Sequence, residues 1–236
     1  MALEAVDFNK SCGELQGEYL PLSGTPVYYF LCSQCGFCYA PEFAKWQLND
    51  FEKHIYNDRY IELDSNYLDI RPRHNAKNTM SYFRGKEDSI RHLDYGGGNG
   101  LLADILRKAG WQSSSYDPFV DREMNVNELG VFNLMTAYEV FEHVPNVIHL
   151  IDQIKLLLAE DGIMLITTIL SDGNIKADQR LDWWYAAPRN GHISLFSRNS
   201  LTLLLEKNGF HLGSFSQGFH VIFRQVSPWA ADLMKH

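Results

Sequence analysis

No stretch of this 236-residue chain approaches the roughly 20 apolar residues that would carry a helix across a bilayer. Basic residues are scarce as well: 21 Lys and Arg stand against 29 Asp and Glu, a formal charge of −8. That balance disfavours a surface built to coat phosphates, so nucleic acid is not the expected partner. The opening MALEAVDFNK lacks the basic start and apolar core of a secretory signal, and a cytoplasmic address is the expectation. Internal repeats and low-complexity tracts are absent. Cysteine is confined to Cys12, Cys32, Cys35 and Cys38. Such clustering argues against a disulfide framework spread through a secreted fold and leaves metal binding or core filling.

What is present is ordinary for a globular protein, 45% hydrophobic and 21% charged, and it is unevenly arranged. From about residue 89 onward, apolar strand-like runs alternate with helical stretches, the pattern of a parallel sheet covered by helices. IRHLDYG (90–96) reads as a strand, LLADILRKAG (101–110) as a helix, and WQSSSYD (111–117) as a second strand ending in an acid. VFNLMTAYE (131–139) and IMLITTIL (163–170) read as interior strands, with the helix of residues 146–162 between them. SRNSLTLLLEKNGF (197–210) reads as a further helix, and HLGSFSQ with HVIFRQV as a closing antiparallel hairpin. Residues 1–88 differ in texture and are expected to form an N-terminal appendage, partly helical over 46–85, beside a domain of residues 89–236.

HLDYGGGNG (92–100) places four glycines in five positions. Glycine is entropically expensive, so such density implies special torsions or a close backbone approach by a ligand. Gly96, Gly98 and Gly100 follow Asp94 of the first strand as D-x-G-x-G-x-G, and Asp117 ends the next strand, where a carboxylate can accept both hydroxyls of a ribose. Dinucleotides and adenosyl cofactors share this geometry. A carboxylate at position 94 repels a pyrophosphate but suits an amino acid's ammonium group.

These segments resemble motif I and the following acidic strand of class I S-adenosylmethionine-dependent methyltransferases. TAYEVFEHVPN is similar to the E-x-x-E-H segment of that family. LLLAEDGIMLITT is similar to its helix–turn–strand, and WWYAAPRNGHISLFSRNSLTLLLEKNGF to the ending of a large subgroup. The resemblance implies a Rossmann-like α/β fold with a seven-stranded, mostly parallel sheet, its last strand antiparallel and helices on both faces. It also implies S-adenosylmethionine as cofactor. Gly96, Gly98 and Gly100 would line the methionine part, Asp94 would orient its amino group, and Asp117 would hold the ribose. The acid usually found on the adenine side is missing, which leaves Asn125 or Asn127.

Candidate catalytic residues are His143 and Glu142 in EVFEH, and His192 in NGHISLFS. A histidine is a ready base near neutral pH. Glu139, Glu142 and His143 could instead hold a divalent cation, as similar segments do in some relatives. Trp183, Trp184 and Tyr185 could form an aromatic wall or a packed lid. CSQCG (32–36) has the form of a zinc knuckle, although the potential second knuckle, NKSCG, begins with Asn9. Cys12, Cys32, Cys35 and Cys38 are the candidate zinc ligands. The expected activity is methylation of a small sugar-, quinone- or natural-product-like acceptor at oxygen or carbon. An idle cofactor-binding module and an RNA 2′-O-methyltransferase are the alternatives.

Overall fold

The computed structural model describes residues 1–226, 228–231 and Leu233. Strands numbered along the chain are β1 (Val6–Asp7), β2 (Pro26–Val27), β3 (Phe30–Leu31), β4 (Cys38–Tyr39), β5 (Arg91–Tyr95) and β6 (Gln112–Tyr116). They continue as β7 (Phe132–Tyr138), β8 (Leu158–Thr167), β9 (Ser194–Leu195), β10 (His211–Ser214) and β11 (Phe219–Phe223). The helices are α1 (Leu48–His54), α2 (Tyr60–Leu63), α3 (Ile70–Tyr82), α4 (Leu101–Lys108), α5 (Val147–Leu157) and α6 (Arg198–Glu206). Two compact units are woven from this order, and neither is continuous in sequence. The 88/89 line follows residue texture, whereas compactness gives residues 141–147 and 169–204 to the same unit as residues 1–65.

The larger unit, Asn66–Val140 with Ile148–Thr168 and Leu205–His236, contains a six-stranded sheet in the order β10-β11-β8-β7-β5-β6. β6, β5, β7 and β8 run parallel, and β11 and β10 add the expected antiparallel hairpin. β7 and the stretch 162–166 of β8 are mostly buried, as strands covered on both faces require, while Glu160 and Asp161 near the start of β8 are exposed. α4 buries Leu102, Ala103 and Leu106 and carries Arg107 and Lys108 in its last turn, where cations offset the helix dipole. Its buried face joins Phe83, Ile90, Trp111, Leu134 and Ile163 in one core cluster.

Among the described residues the sheet has six strands, not the seven expected. Residues 117–131, between β6 and β7, are too few for the helix and strand of a parallel crossover, which takes a dozen or more residues for the connection alone. They form turns and a single 3-10 segment, Val126–Glu128, so β6 is the sheet edge. The α5–β8 junction also differs: α5 stops at Leu157 and β8 begins at once, with a register shift opposite Phe132 and Leu134.

The smaller unit, Met1–Ser65 with Phe141–Val147 and Ile169–Leu204, is built from short pieces. β4 pairs with both β3 and β9, bringing Cys38 opposite Leu31 and Leu195. Phe8, Phe43, Trp46 and Phe51 pack together, with the Phe43 and Trp46 rings 4.6 Å apart. A capping box between Gln47 and Asp50 starts α1. Among the described residues no helix is long and apolar enough to cross a membrane.

Candidate functional site

The glycine turn answers to both torsion and space. Gly96, Gly98 and Gly100 have φ of 73°, 55° and 75°, where a side chain is strained. A Cβ on Gly96 would stand 2.6 Å from Val140 Cγ2, and one on Gly97 only 2.3 Å from Ser115 Oγ and 2.8 Å from Asp94 Oδ2. Gly98 faces open space, and its amide donates to Asp117 Oδ2 at 2.9 Å. Gly100 then caps α4. A bare backbone surface therefore lies between two aspartates, at the carboxyl ends of β5 and β6, where ligands settle on open parallel sheets.

Both acids are buried. Thr136 donates to Asp94 Oδ1 at 2.6 Å, and burial pushes the Asp94 carboxyl up to about 7. Asp117 is also pushed up by burial, although the amides of Phe119 and Gly98 pull the other way. Ser115 Oγ is buried with no hydrogen-bond partner. A dry, raised carboxyl and an orphaned hydroxyl beside a side-chain-free turn fit a cationic, polar ligand, as the amino-acid end of S-adenosylmethionine is. Asn125 accepts from the Asn127 amide within the 3-10 turn, and both line a cleft with His149 and Gln153.

Behind Asp94 sits His92, fully buried and pushed down to about 3 by desolvation. The two groups impose opposite pH slopes on stability. His92's contribution is full above its unfolded 6.5 and is lost as pH falls toward 3; Asp94's is full below its unfolded 3.8 and is lost as pH rises through about 7. Between about pH 4 and 6.5 they cancel. In Asp94→Asn the His92 slope is unmasked, and stability relative to the parent falls by about 1.4 kcal/mol per pH unit on acidification. Urea unfolding at a series of pH values checks this; parallel curves for the two proteins contradict it.

In the smaller unit, donor atoms of Glu142, His143 and His192 all lie within 4.8 Å of one another, the one such metal-capable group among the described residues. Glu142 is fully buried, and its Oε1 accepts the Tyr185 hydroxyl. His192 Nδ1 lies 2.9 Å from the Tyr185 carbonyl, to which it can only donate, so in the neutral ring Nε2 carries the lone pair. His143 Nδ1 meets the Tyr56 hydroxyl at 3.0 Å. Gly191, at φ 88°, lets the loop pass them, since a Cβ there would come 2.9 Å from Tyr56 Oη and 3.0 Å from His143 Nδ1. The Ile193 amide bonds the Glu142 carbonyl at 2.9 Å, tying the two segments together.

Of the expected residues, Glu142, His143 and His192 are thus brought together. Glu139 belongs to the larger unit, where it directly follows β7 with a positive φ of 56°. Tyr185 is buried and acts through its hydroxyl, with Trp183 and Trp184 packed on its ring. Tyr56 belongs to the aromatic stretch FEKHIYNDRYIELDSNYL (51–68), which is rich enough in rings to suggest a cap but does not single out this residue.

The four cysteines are not gathered into a zinc set. Cys12 Sγ lies 3.7 Å from His192 Nδ1, and Cys38 is buried in β4, its thiol pushed up to about 12 by desolvation. Cys32 and Cys35 do form a knuckle-like turn: amides of Cys35 and Gln34 draw the Cys32 thiol down, while burial pushes Cys35 up. None of the four forms a disulfide.

A parallel sheet with an acid-flanked glycine turn after its first central strand, closed by an antiparallel hairpin, defines the class I methyltransferase architecture. A family model described as "Methyltransferase domain" matches residues 67–214, and the chain belongs to that family. It is an S-adenosylmethionine-dependent methyltransferase. No curated protein matches the chain by sequence. Among solved structures, the fold is similar to 1,6-didemethyltoxoflavin-N1-methyltransferase of Burkholderia thailandensis, bound to its substrate and S-adenosylhomocysteine. That match has a TM-score of 0.51 at 18% identity and covers 82% of this chain and 96% of that one. Mitomycin 7-O-methyltransferase gives 0.51 at 14%, covering 75% and 60%. Plantazolicin methyltransferase, in complex with S-adenosylhomocysteine, gives 0.50 at 12%, covering 74% and 96%.

Proposed function

We propose that this enzyme methylates a small sugar-, quinone- or natural-product-like acceptor at oxygen or carbon, with His192 as the base. When bound, S-adenosylmethionine supplies an electrophilic methyl group on a sulfonium. Asp94 receives its ammonium group, the backbone of Gly96, Gly98 and Gly100 lies against its amino-acid chain, and Asp117 takes the ribose hydroxyls. His192 draws the acceptor's proton onto Nε2, which the Nδ1–Tyr185 hydrogen bond holds unprotonated. Glu142, fixed by Tyr185, steadies the imidazolium that results. The observation that carries this reading is the convergence of Glu142, His143 and His192 within 4.8 Å. The small acceptors named for the toxoflavin and mitomycin enzymes agree with the acceptor class.

The same convergence favours a second reading, in which the three side chains hold a divalent cation that lowers the pKa of an acceptor hydroxyl. A histidine whose other nitrogen donates to a carbonyl, as His192 does, is oriented the way metal-bound histidines are. A metabolite screen reading S-adenosylhomocysteine production, run with and without chelator, separates the two. Turnover that survives chelation is expected for the base; turnover lost on chelation and restored by a divalent cation supports the metal. Cofactor uptake without turnover on any small molecule contradicts both.

A further inference from the structure

We infer that His92 is a positioning residue for the cofactor: with Ser113 and Thr136 it forms a one-way hydrogen-bond relay that holds the Asp94 carboxylate ionised and aimed at the glycine turn. The inference rests on Asp94 receiving the ammonium group, as proposed above.

His92 and Asp94 are two apart on β5, so their side chains leave the same face of the sheet. The parallel register sets Ser113 of β6 beside His92, and Thr136 of β7 beside Asp94. All four side chains are buried. The proton directions follow from counting. An ionised Asp94 can only accept, so the Thr136 hydroxyl spends its one proton there, at 2.6 Å. His92 Nε2, 3.0 Å from the same hydroxyl, must then be the donor. A neutral imidazole with Nε2–H accepts at Nδ1, and Ser113 Oγ donates to it at 2.7 Å.

Every proton in the row therefore points toward one carboxylate. Asp94 Oδ1 is committed to Thr136, while Oδ2 faces the turn, 2.8 Å from where a Gly97 Cβ would stand. Stability does not require such a row, since apolar side chains of similar volume usually serve a sheet core as well or better. Its effect falls on the carboxylate. His92 keeps the Thr136 proton turned toward Asp94, which opposes the desolvation that would otherwise neutralise it.

The test compares wild type with His92→Leu, His92→Gln and Asp94→Asn. In ligand-free wild type, nitrogen NMR is expected to show His92 as the Nε2–H tautomer, and carbon NMR of the Asp94 carboxyl to titrate about one pH unit higher in His92→Leu. By calorimetry, His92→Leu binds S-adenosylhomocysteine roughly tenfold more weakly below pH 7 and converges with wild type at high pH. His92→Gln, which keeps a donor toward Thr136, restores most of the loss. 5′-Methylthioadenosine, which lacks the amino-acid tail, binds all variants alike. The inference is overturned if wild-type His92 carries its proton on Nδ1, if Asp94 titrates identically in both proteins, or if the affinity loss is the same at every pH. Should His92→Leu fail to fold, the tautomer in wild type decides. If Asp94→Asn binds S-adenosylhomocysteine as wild type does, the assignment of Asp94 fails, not the relay.

Discussion

Replacing His192 with Ala lowers turnover by about 10²- to 10⁴-fold and leaves S-adenosylhomocysteine affinity within about twofold, because a positioned base contributes on that scale to the chemical step alone. The backbone contacts of this residue make the variant a clean one. Its carbonyl accepts the Tyr29 hydroxyl at 2.6 Å and its amide bonds the Ala187 carbonyl, and neither depends on the imidazole. Tyr185 still holds Glu142 in the variant. Steady-state rates beside calorimetry, once an acceptor is found, read both quantities. Unchanged turnover removes His192 from the chemistry, counts against the three-residue cation site as well, and returns the base's role to His143.

The second large effect belongs to Asp94. Asp94→Asn keeps the volume and the Thr136 contact but removes the charge that meets an ammonium group. Hydrogen bonds to charged groups contribute about 1.5–3 kcal/mol, so S-adenosylhomocysteine binding is expected to weaken roughly 10- to 100-fold at pH 8, where Asp94, at about 7, is mostly ionised. The loss shrinks as pH falls below 7, since the parent carboxyl is then neutral as well. The parent's own affinity declines on acidification through that range. A loss independent of pH would mean that the asparagine disturbs the turn by shape, not by charge.

Much of the larger unit was legible because its signals are local. A glycine-dense turn, an apolar run and an antiparallel hairpin are each written in neighbouring residues, and β5, α4, β7 and the β10–β11 pair fall where the pattern places them. The absence of a seventh strand from the described sheet is legible in principle, since residues 117–131 are too few to hold both a helix and a strand between β6 and β7. The interleaving of the two units was not legible. Nothing in NGHISLFS says that β9 will pair with Cys38 and Tyr39, or that the Ile193 amide will seek the Glu142 carbonyl. Those are long-range contacts, and they decide which histidines converge. Tyr56 and the Tyr185 hydroxyl entered the site through the same folding. His92 and Thr136 carry no local signal for a different reason: a single histidine in RHLDY and a single threonine in FNLMTAY form no motif, and only the parallel register lines Thr136 up with Asp94 and Ser113 with His92.

The most direct measurement is calorimetry of the folded wild-type protein at pH 8 with S-adenosylhomocysteine and, separately, 5′-methylthioadenosine. Saturable binding of the first, at least tenfold tighter than the second, is expected if the acid-flanked turn holds an amino-acid-tailed nucleoside. Equal affinity for both, or no uptake of either at millimolar concentration, would contradict it.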